Sequence, residues 1–408
     1  MSVGGVRIQE RFIARQPIFN RSKRVVGYEL LFRDTPDNAY LGKDHEVASK
    51  NALDTAVLVG LNVLSDGHSI FVNCARESIL KGYVTLFPTT STVVEVLENV
   101  EPDADVLSAC RKLKTAGYRI ALDDYVDHPR LAPLAELADI IKVDFRQSPS
   151  DIQAALVRKY AHGNTRLLAE KVETYEEFTH AVELGYQMFQ GYFFCKPMMF
   201  STRDVAGTHA TKLKLLQKIN APELDFFQIE ALIRSEPALS YRLFRYLNTA
   251  TFSFSGEVKS IIHGLTLIGE WNVRKWLMVT CAALASVGKP PELVKLALVR
   301  ARLCELLAPS ARTGEPVSFI LGLFSLMDAL LDTSIQDLLE QVCLPPDVRA
   351  ALLGEKNLLR SLYQLVLAIE AADWAACETY ANSLHIANET LNKAYFEAVN
   401  WVQSLPSN

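Results

Sequence analysis

The sequence lacks the features of a secreted, membrane-spanning or polyanion-wrapping chain. Its seven cysteines (74, 110, 195, 281, 304, 343 and 377) form no CxxC pair and none stands at zinc spacing from a histidine. That argues against a disulfide framework or zinc site, and the thiols read as buried groups in a reducing cytosol. Basic residues are the minority, 42 Lys and Arg against 47 Asp and Glu, for a formal charge of -5. Without a positive field the chain is not expected to bind bulk DNA or RNA, although a small anion held through metals stays open. The N-terminus has no apolar signal region, and the apolar stretch Phe319 to Met327 ends at Asp328, well short of the ~20 residues a membrane span needs. Neither export nor a membrane partner is expected. Internal repeats, low-complexity tracts and a GxxxxGKS/T phosphate loop are also missing.

What is present is a soluble globular composition, 49% hydrophobic and 22% charged over 408 residues. A single core stops growing at ~250 to 300 residues, so two domains are expected. Up to about residue 197, short β-rich runs alternate with helical ones: Val25 to Tyr28, Ile70 to Val72, Thr92 to Val94, Arg119 to Leu122, Asp139 to Ile141, Leu167 to Ala169 and Phe189. Alternation predicts parallel βαβ units, and runs apolar on both faces suit strands covered on both sides. Periodicity alone leaves an open sheet and a closed barrel equally possible. The segment from 198 to about 210 has no period and reads as a linker, dividing the chain into domains 1–200 and 201–408. Beyond it, Leu213, Leu216, Ile219 and then Ile229, Leu232, Ile233 repeat at three and four residues. With breaks at Pro222, Pro237, Gly288 to Pro291 and Pro345-Pro346, that predicts an all-helical bundle of short helices.

The residues ending the β-runs are polar. Glu29, Asn73, Glu95, Asp123 with Asp124, Lys142 with Asp144, Glu170 and Gln190 each follow one run. A lone acid at a strand end is usually a helix cap or a solvated loop residue, but seven polar ends in succession would converge on one barrel mouth. Glu29, Asn73, Glu95 and Asp123 offer the oxygen ligands that Mg²⁺ or Mn²⁺ takes, and Asp124 adds a second ion with Asp123 bridging. Two such ions ~3.5 to 4 Å apart suit in-line hydrolysis of a phosphodiester. Lys142 is either a salt-bridge partner for these acids or a group that orients the attacking water. Glu170 is placed to take that water's proton. Arg33 could grip a phosphate bidentately, or lie on the surface as most single arginines do.

At these residues the sequence resembles the EAL-domain family of bacterial cyclic di-GMP phosphodiesterases. GYELLFR (27 to 33) is similar to the EALxR signature, FVNCA (71 to 75) to the strand ending in Asn, and VVEVLEN (93 to 99) to ExxE. RIALDDY (119 to 125) matches the double Asp, IIKVD (140 to 144) KxD, AEKVET (169 to 174) EGVET, and FQGYFFCKP (189 to 197) QGxxxxxP. The resemblance implies a TIM-like (βα)8 barrel, Mg²⁺ or Mn²⁺, and hydrolysis of cyclic di-GMP to linear pGpG. It implies metal ligation by Glu29, Asn73, Glu95, Asp123 and Asp124, and catalytic roles for Lys142 and Glu170. It also implies that Arg33 and Gln190 hold the nucleotide with Asp144 and Glu173 on the same side, Glu98 and Glu173 helping to position loops. The second half resembles the HDOD domain, on residues 215 to 248, 260 to 278 and 322 to 332, and carries no adjacent His-Asp pair. Together the halves resemble the EAL-HDOD (YuxH-type) signalling proteins, which implies a cytoplasmic regulator of motility or biofilm. The same resemblance implies a protein partner on the helical half and allows a homodimer.

Three departures from the pattern stand out: Leu30-Leu31 after Glu29, Lys171 where the family has Gly, and Asp124 to Arg130 in place of DDFGTGYSS. That loop is expected to position the second metal. Three readings therefore stay open: an active phosphodiesterase regulated by the helical half, a degenerate domain that senses cyclic di-GMP or scaffolds a complex, and metal-independent protein binding through both halves with the acids as relics.

Overall fold

The computed structural model describes residues 12–33, 61–160, 163–196, 216–221, 223–235, 243, 246, 260–285 and 289–405. The expected linker, Pro197 and most of the run from 236 to 259 lie outside the described residues.

Eight strands close a barrel in sequence order: β1 (Phe12–Asn20), β2 (Val25–Arg33), β3 (Ser69–Cys74), β4 (Thr92–Val96), β5 (Arg119–Leu122), β6 (Ile140–Asp144), β7 (Arg166–Glu170) and β8 (Met188–Gln190). Strands β2 to β8 pair in parallel. β1 corrects the all-parallel expectation, because it runs antiparallel to both β2 and β8. No helix separates it from β2; a tight turn at Asn20 to Arg24 does, with the Asn20 side chain accepting from the amides of Ser22 and Arg24. Among the described residues the helices of this half are α1 (Leu61–Ser65), α2 (Arg76–Lys81), α3 (Ala104–Thr115), α4 (Ala132–Ala135), α5 (Ser150–Tyr160) and α6 (Tyr175–Leu184). The start of α6 is a complete capping box, Thr174 and Glu177 each satisfying the other's backbone amide, a signature legible as Thr-x-x-Glu.

The barrel is filled by a buried layer to which β1 and β3 to β8 give one side chain each: Ile18, Phe71, Val93, Ala121, Ile140, Leu168 and Met188. On β2 the equivalent place is held by Gly27, where a Cβ would lie 2.8 Å from the Phe71 ring. Side chains on one face of a strand recur every second residue. Two positions on from this plug, each of β2 to β8 therefore presents its next inward residue at the mouth: Glu29, Asn73, Glu95, Asp123, Lys142, Glu170 and Gln190. The apolar layer seals the barrel beneath the polar ring.

Just past β8, Gly191 has φ 140, and a Cβ there would stand 2.1 Å from the Val172 carbonyl oxygen. Val172 in turn donates its amide to the Gln190 carbonyl at 3.0 Å. Gly191→Ala should cost about 3 kcal/mol or more, from a backbone clash added to an unfavourable φ. A lowered urea midpoint would register it, and an unchanged midpoint would mean the strand end relaxes freely.

The second half is helical throughout its described residues: α7 (Phe226–Ser235), α8 (Ile261–Ala285, kinked at Gly269), α9 (Pro291–Leu307), α10 (Glu315–Phe324), α11 (Met327–Leu331), α12 (Ile335–Gln341), α13 (Pro346–Leu352), α14 (Leu358–Glu370), α15 (Trp374–Ser383) and α16 (Asn388–Ser404). Pro291 and Pro346 open α9 and α13, where a missing amide costs nothing. Gly322 of α10 lies against α9 so closely that a Cβ would meet the Arg300 carbonyl at 2.4 Å. Among the described residues no helix is long and apolar enough to cross a membrane.

The two halves share one apolar core, and polar contacts lace the seam. The buried Tyr28 hydroxyl donates to Glu292 at 3.0 Å, and the Tyr395 hydroxyl accepts from the Arg15 amide at 3.3 Å. Tyr192 donates to the Glu370 carbonyl at 2.8 Å, Gln403 to the Val63 carbonyl at 2.8 Å, and Lys295 pairs with Asp66. Within the helical half, Arg300 and the half-buried Glu370 form a two-pronged ion pair, both contacts 2.7 Å.

Candidate functional site

At the C-terminal ends of the parallel strands the polar ring surrounds one ammonium. Lys142, 1% exposed, donates to Glu29 at 3.2 Å, Asp123 at 3.0 Å and Glu170 at 2.8 Å, and pairs with Glu95. Asn73 donates to Glu29 at 3.0 Å. Gln190 donates to Glu29 at 2.7 Å and to Gln16 at 2.9 Å. All the metal-ligand candidates except Asp124 thus interlock with Lys142 directly or through Glu29. Asp124 sits one residue further out, half-buried at φ 39, and Asp123, Asp124 and Glu170 bring an oxygen each within 4.8 Å of one another.

Four carboxylates around one cation leave an excess of negative charge. Burial, reinforced by the Glu29 charge and only partly offset by Lys142, pushes Glu95 well above the carboxylate range. Burial likewise raises Glu170, to about 8, against the pull of Lys142. Asp124 rises through burial and the charge of Asp123. Burial would raise Asp123 too, but Lys142 and its hydrogen bonds prevail and the net shift is downward. For Lys142, burial alone would weaken the ammonium, and the four acids outweigh it. With divalent ions chelated, Glu95 and Glu170 hold their protons more tightly folded than unfolded. Their contribution to stability is full below the ordinary glutamate value of 4.5 and is lost above it, for Glu170 as pH rises through about 8. Chelated protein should therefore lose thermal stability between those values, and a melting temperature flat or rising across that window would contradict the charge excess.

Among the described residues eight buried side-chain polar atoms have no hydrogen-bond partner, and five are oxygens of this mouth: Asn73 Oδ1, Glu95 Oε2, Asp124 Oδ1, Glu170 Oε2 and Gln190 Oε1. Orphaned buried acceptors are rare and call for an explanation. Carboxylate and amide oxygens lacking donors are the ligands hard divalent cations take, so these residues fit Mg²⁺ or Mn²⁺.

Beside the ring opens a cavity of about 430 Å³, lined on the barrel side by Gln16, Glu29, Asp123, Asp124, Glu170 and Lys171, among others, and on the other by Ala371 and Ala372 of the turn between α14 and α15. Glu173 reaches it, paired with Arg146. Asp144 is occupied differently from the other strand-end acids: its Oδ1 accepts the amides of Arg146 at 2.7 Å and Gln147 at 3.1 Å, and its Oδ2 faces Lys171 at 2.5 Å. Arg33 ends β2, and its side chain lies outside the described residues. Glu98 borders a neighbouring cavity with Asp123 and Asp124.

The altered loop after Asp124 is fastened by its own side chains. Tyr125 bonds Asp127 and the Tyr160 hydroxyl, Asp127 pairs with Lys159 at 2.5 Å, and Arg130 pairs with Glu101 at 3.0 Å. Sequence reasoning missed Gln16, because β1 itself was not read as a strand, and it missed the two alanines of the helical half. No local pattern marks an alanine as cavity wall.

Comparison with known proteins agrees with the family resemblance. The family model of the EAL domain matches residues 83–197, and that of the HDOD domain matches 208–344. The chain is 33% identical over 404 residues to the uncharacterized protein YuxH of Bacillus subtilis, covering 97% of this chain and 98% of that one. It is 34% identical over 401 residues to the cyclic di-GMP phosphodiesterase CdgJ of Vibrio cholerae, covering 97% and 93%. Among solved structures, an EAL domain protein from Listeria monocytogenes aligns at TM-score 0.38 and 22% identity over 48% of this chain and 93% of that one. BlrP1 of Klebsiella pneumoniae, in a manganese and cyclic di-GMP complex, aligns at TM-score 0.38 and 22% identity over 47% and 57%.

Proposed function

The chain belongs to the family of proteins that join an EAL domain to an HDOD domain, and from that premise we propose that it is a cyclic di-GMP phosphodiesterase hydrolysing its substrate to linear pGpG. The observation that carries the reading is the mouth itself, with five donorless oxygens, three of them on residues that line a cavity of about 430 Å³: Asp124, Glu170 and Gln190. Glu29, Asn73, Glu95, Asp123 and Asp124 would hold Mg²⁺ or Mn²⁺. When bound, such ions lower the pKa of a coordinated water and offset charge gathering on the phosphoryl oxygens.

The chain's own residues supply the rest. Glu170 receives the proton of the attacking water on the oxygen that has no partner in the protein. Lys142, 2.8 Å from its other oxygen, keeps that carboxylate aimed and orients the water beside it. Gln190, anchored between Gln16 and Glu29, faces the nucleotide, which Arg33 would also hold, while Glu173 lines that side of the cavity and Asp144 holds Lys171 beside it. The apolar layer beneath the ring keeps bulk water from entering through the barrel. Water adds to one phosphorus and gives its proton to Glu170, the ester bond to the 3′ oxygen breaks, and that oxygen leaves taking up a proton from solvent, to which Glu170 later returns its own.

The test is production of pGpG from cyclic di-GMP by the full chain with Mn²⁺ or Mg²⁺, and its disappearance on chelation. Product that persists in excess chelator would overturn the metal-dependent reading. A second reading, a receptor that binds without turnover, is favoured by one observation, the Lys171 ammonium lying against Asp124 and Asp144. Retained nucleotide binding with no product would decide for it. A role in motility or biofilm control, a protein partner on the helical half and a cytoplasmic location go with the family reading.

A further inference from the structure

We propose that Lys171 is a resident cation of the mouth, held where a second divalent ion would need Asp124, so that the chain admits this ion only by displacing its own ammonium. The inference rests on the metal-dependent reading above and concerns how many ions the site holds at rest.

Three observations carry it. Lys171 is a non-glycine residue at φ 56, a left-handed conformation that a side chain with a Cβ adopts only against strain. Surroundings must hold it there: the next residue, Val172, is fixed by backbone bonds to Gln190 and Phe193, and the Lys171 ammonium is set among acids of the site. Its Nζ stands 2.5 Å from Asp144 Oδ2 and 3.5 Å from Asp124 Oδ2. Asp144 is itself fixed, 5% exposed, with its other oxygen clamped by the amides of Arg146 and Gln147. It therefore works as a tether for the ammonium. Finally, Asp124 still has a buried oxygen without a partner and contributes to the one cluster of possible metal-holding acids found among the described residues, with Asp123 and Glu170. Asp124 thus belongs to the acid cluster and meets the lysine through Oδ2, while its Oδ1 is left without a partner.

Like charges a few ångströms apart repel strongly, and an ammonium on Asp124 opposes an incoming divalent ion both by repulsion and by occupying its ligand. The ions should consequently bind in two unequal steps. Lys171 is a positioning residue in this scheme, acting on the ion through Asp124.

Mn²⁺ titration calorimetry on the full chain tests it, comparing the unaltered protein with Lys171→Met, Lys171→Gly and Lys171→Arg. Removing a screened unit charge at this distance should tighten the second ion ~10-fold or more in Lys171→Met and Lys171→Gly. The first ion should be little changed, and Lys171→Arg should behave as the parent. Equal second-ion affinity in the parent and Lys171→Met would overturn the inference while leaving the metal site intact. Tightening in Lys171→Gly alone would also overturn it, assigning the effect to relieved backbone strain. Failure of every protein to bind Mn²⁺ would sink the inference together with the metal-dependent reading.

Discussion

Replacing Lys142 with methionine should destabilise the chelated protein by about 3 to 5 kcal/mol, the scale of removing one partner from a buried ion pair. Methionine keeps nearly the same volume, so a packing defect contributes little. What remains is Glu29, Glu95, Asp123 and Glu170, all of which Lys142 now contacts, facing one another with no cation between them. They can meet this only by taking up protons or by opening the mouth. Saturating Mn²⁺ should restore most of the lost stability, because bound ions replace the missing positive charge and bind only the folded chain. Urea unfolding of Lys142→Met in chelator and in Mn²⁺ checks both halves of the expectation. A loss that Mn²⁺ leaves untouched would mean that the lysine matters through its packing, and that the acids do not hold the ion.

Glu29→Ala should abolish pGpG production, by at least about a thousandfold, the loss typical of removing one essential charge-stabilising group. The fold should survive. Glu29 is the hub through which Asn73, Gln190 and Lys142 are joined, so its removal frees both amides and one metal ligand at once. It also removes one negative charge from an overcharged ring, which works against unfolding. Activity near that of the parent, in a protein whose melting temperature is unchanged, would remove this site assignment altogether. Lost activity with intact Mn²⁺ stoichiometry would instead place Glu29 on the nucleotide side.

Most of the seven parallel strands could be read because they are short, apolar, largely buried runs rich in Val, Ile and Leu and ended by a polar residue; β8, Met188-Phe189-Gln190, was legible only through Phe189 and the Gln190 that follows it. In β4 and β6 every residue is buried, so no alternation competes with the run. β1 escaped because Arg15, Gln16 and Pro17 interrupt it. Proline is tolerated there since β8 pairs only with Ile18 to Asn20, leaving β1 paired on one side at Pro17. Arg15 is half-buried against the Tyr28 ring, 4.2 Å away, and donates to the carbonyls of Val63 and Leu64, contacts that no local pattern announces. The site was legible for a related reason, since period two turns an apolar plug residue into a polar mouth residue two places later. The sequence could not say that Lys142 would be encircled by four acids, or that Asp144 would be drawn to Lys171, because both depend on which strand ends meet across the barrel.

The turn at Ala371 and Ala372 belongs to two structures at once. It closes one side of the cavity, and it ends a helix whose last residue, Glu370, is gripped by Arg300 inside the helical half and touched by Tyr192 from the barrel. A ligand in the cavity that prefers one placement of this turn, and a partner on the helical half that prefers another, cannot be independent of each other. Whatever factor the partner imposes on nucleotide affinity, the nucleotide imposes on the partner. Measured from either end, the same number must come back, so nucleotide affinity would report the binding of any such partner.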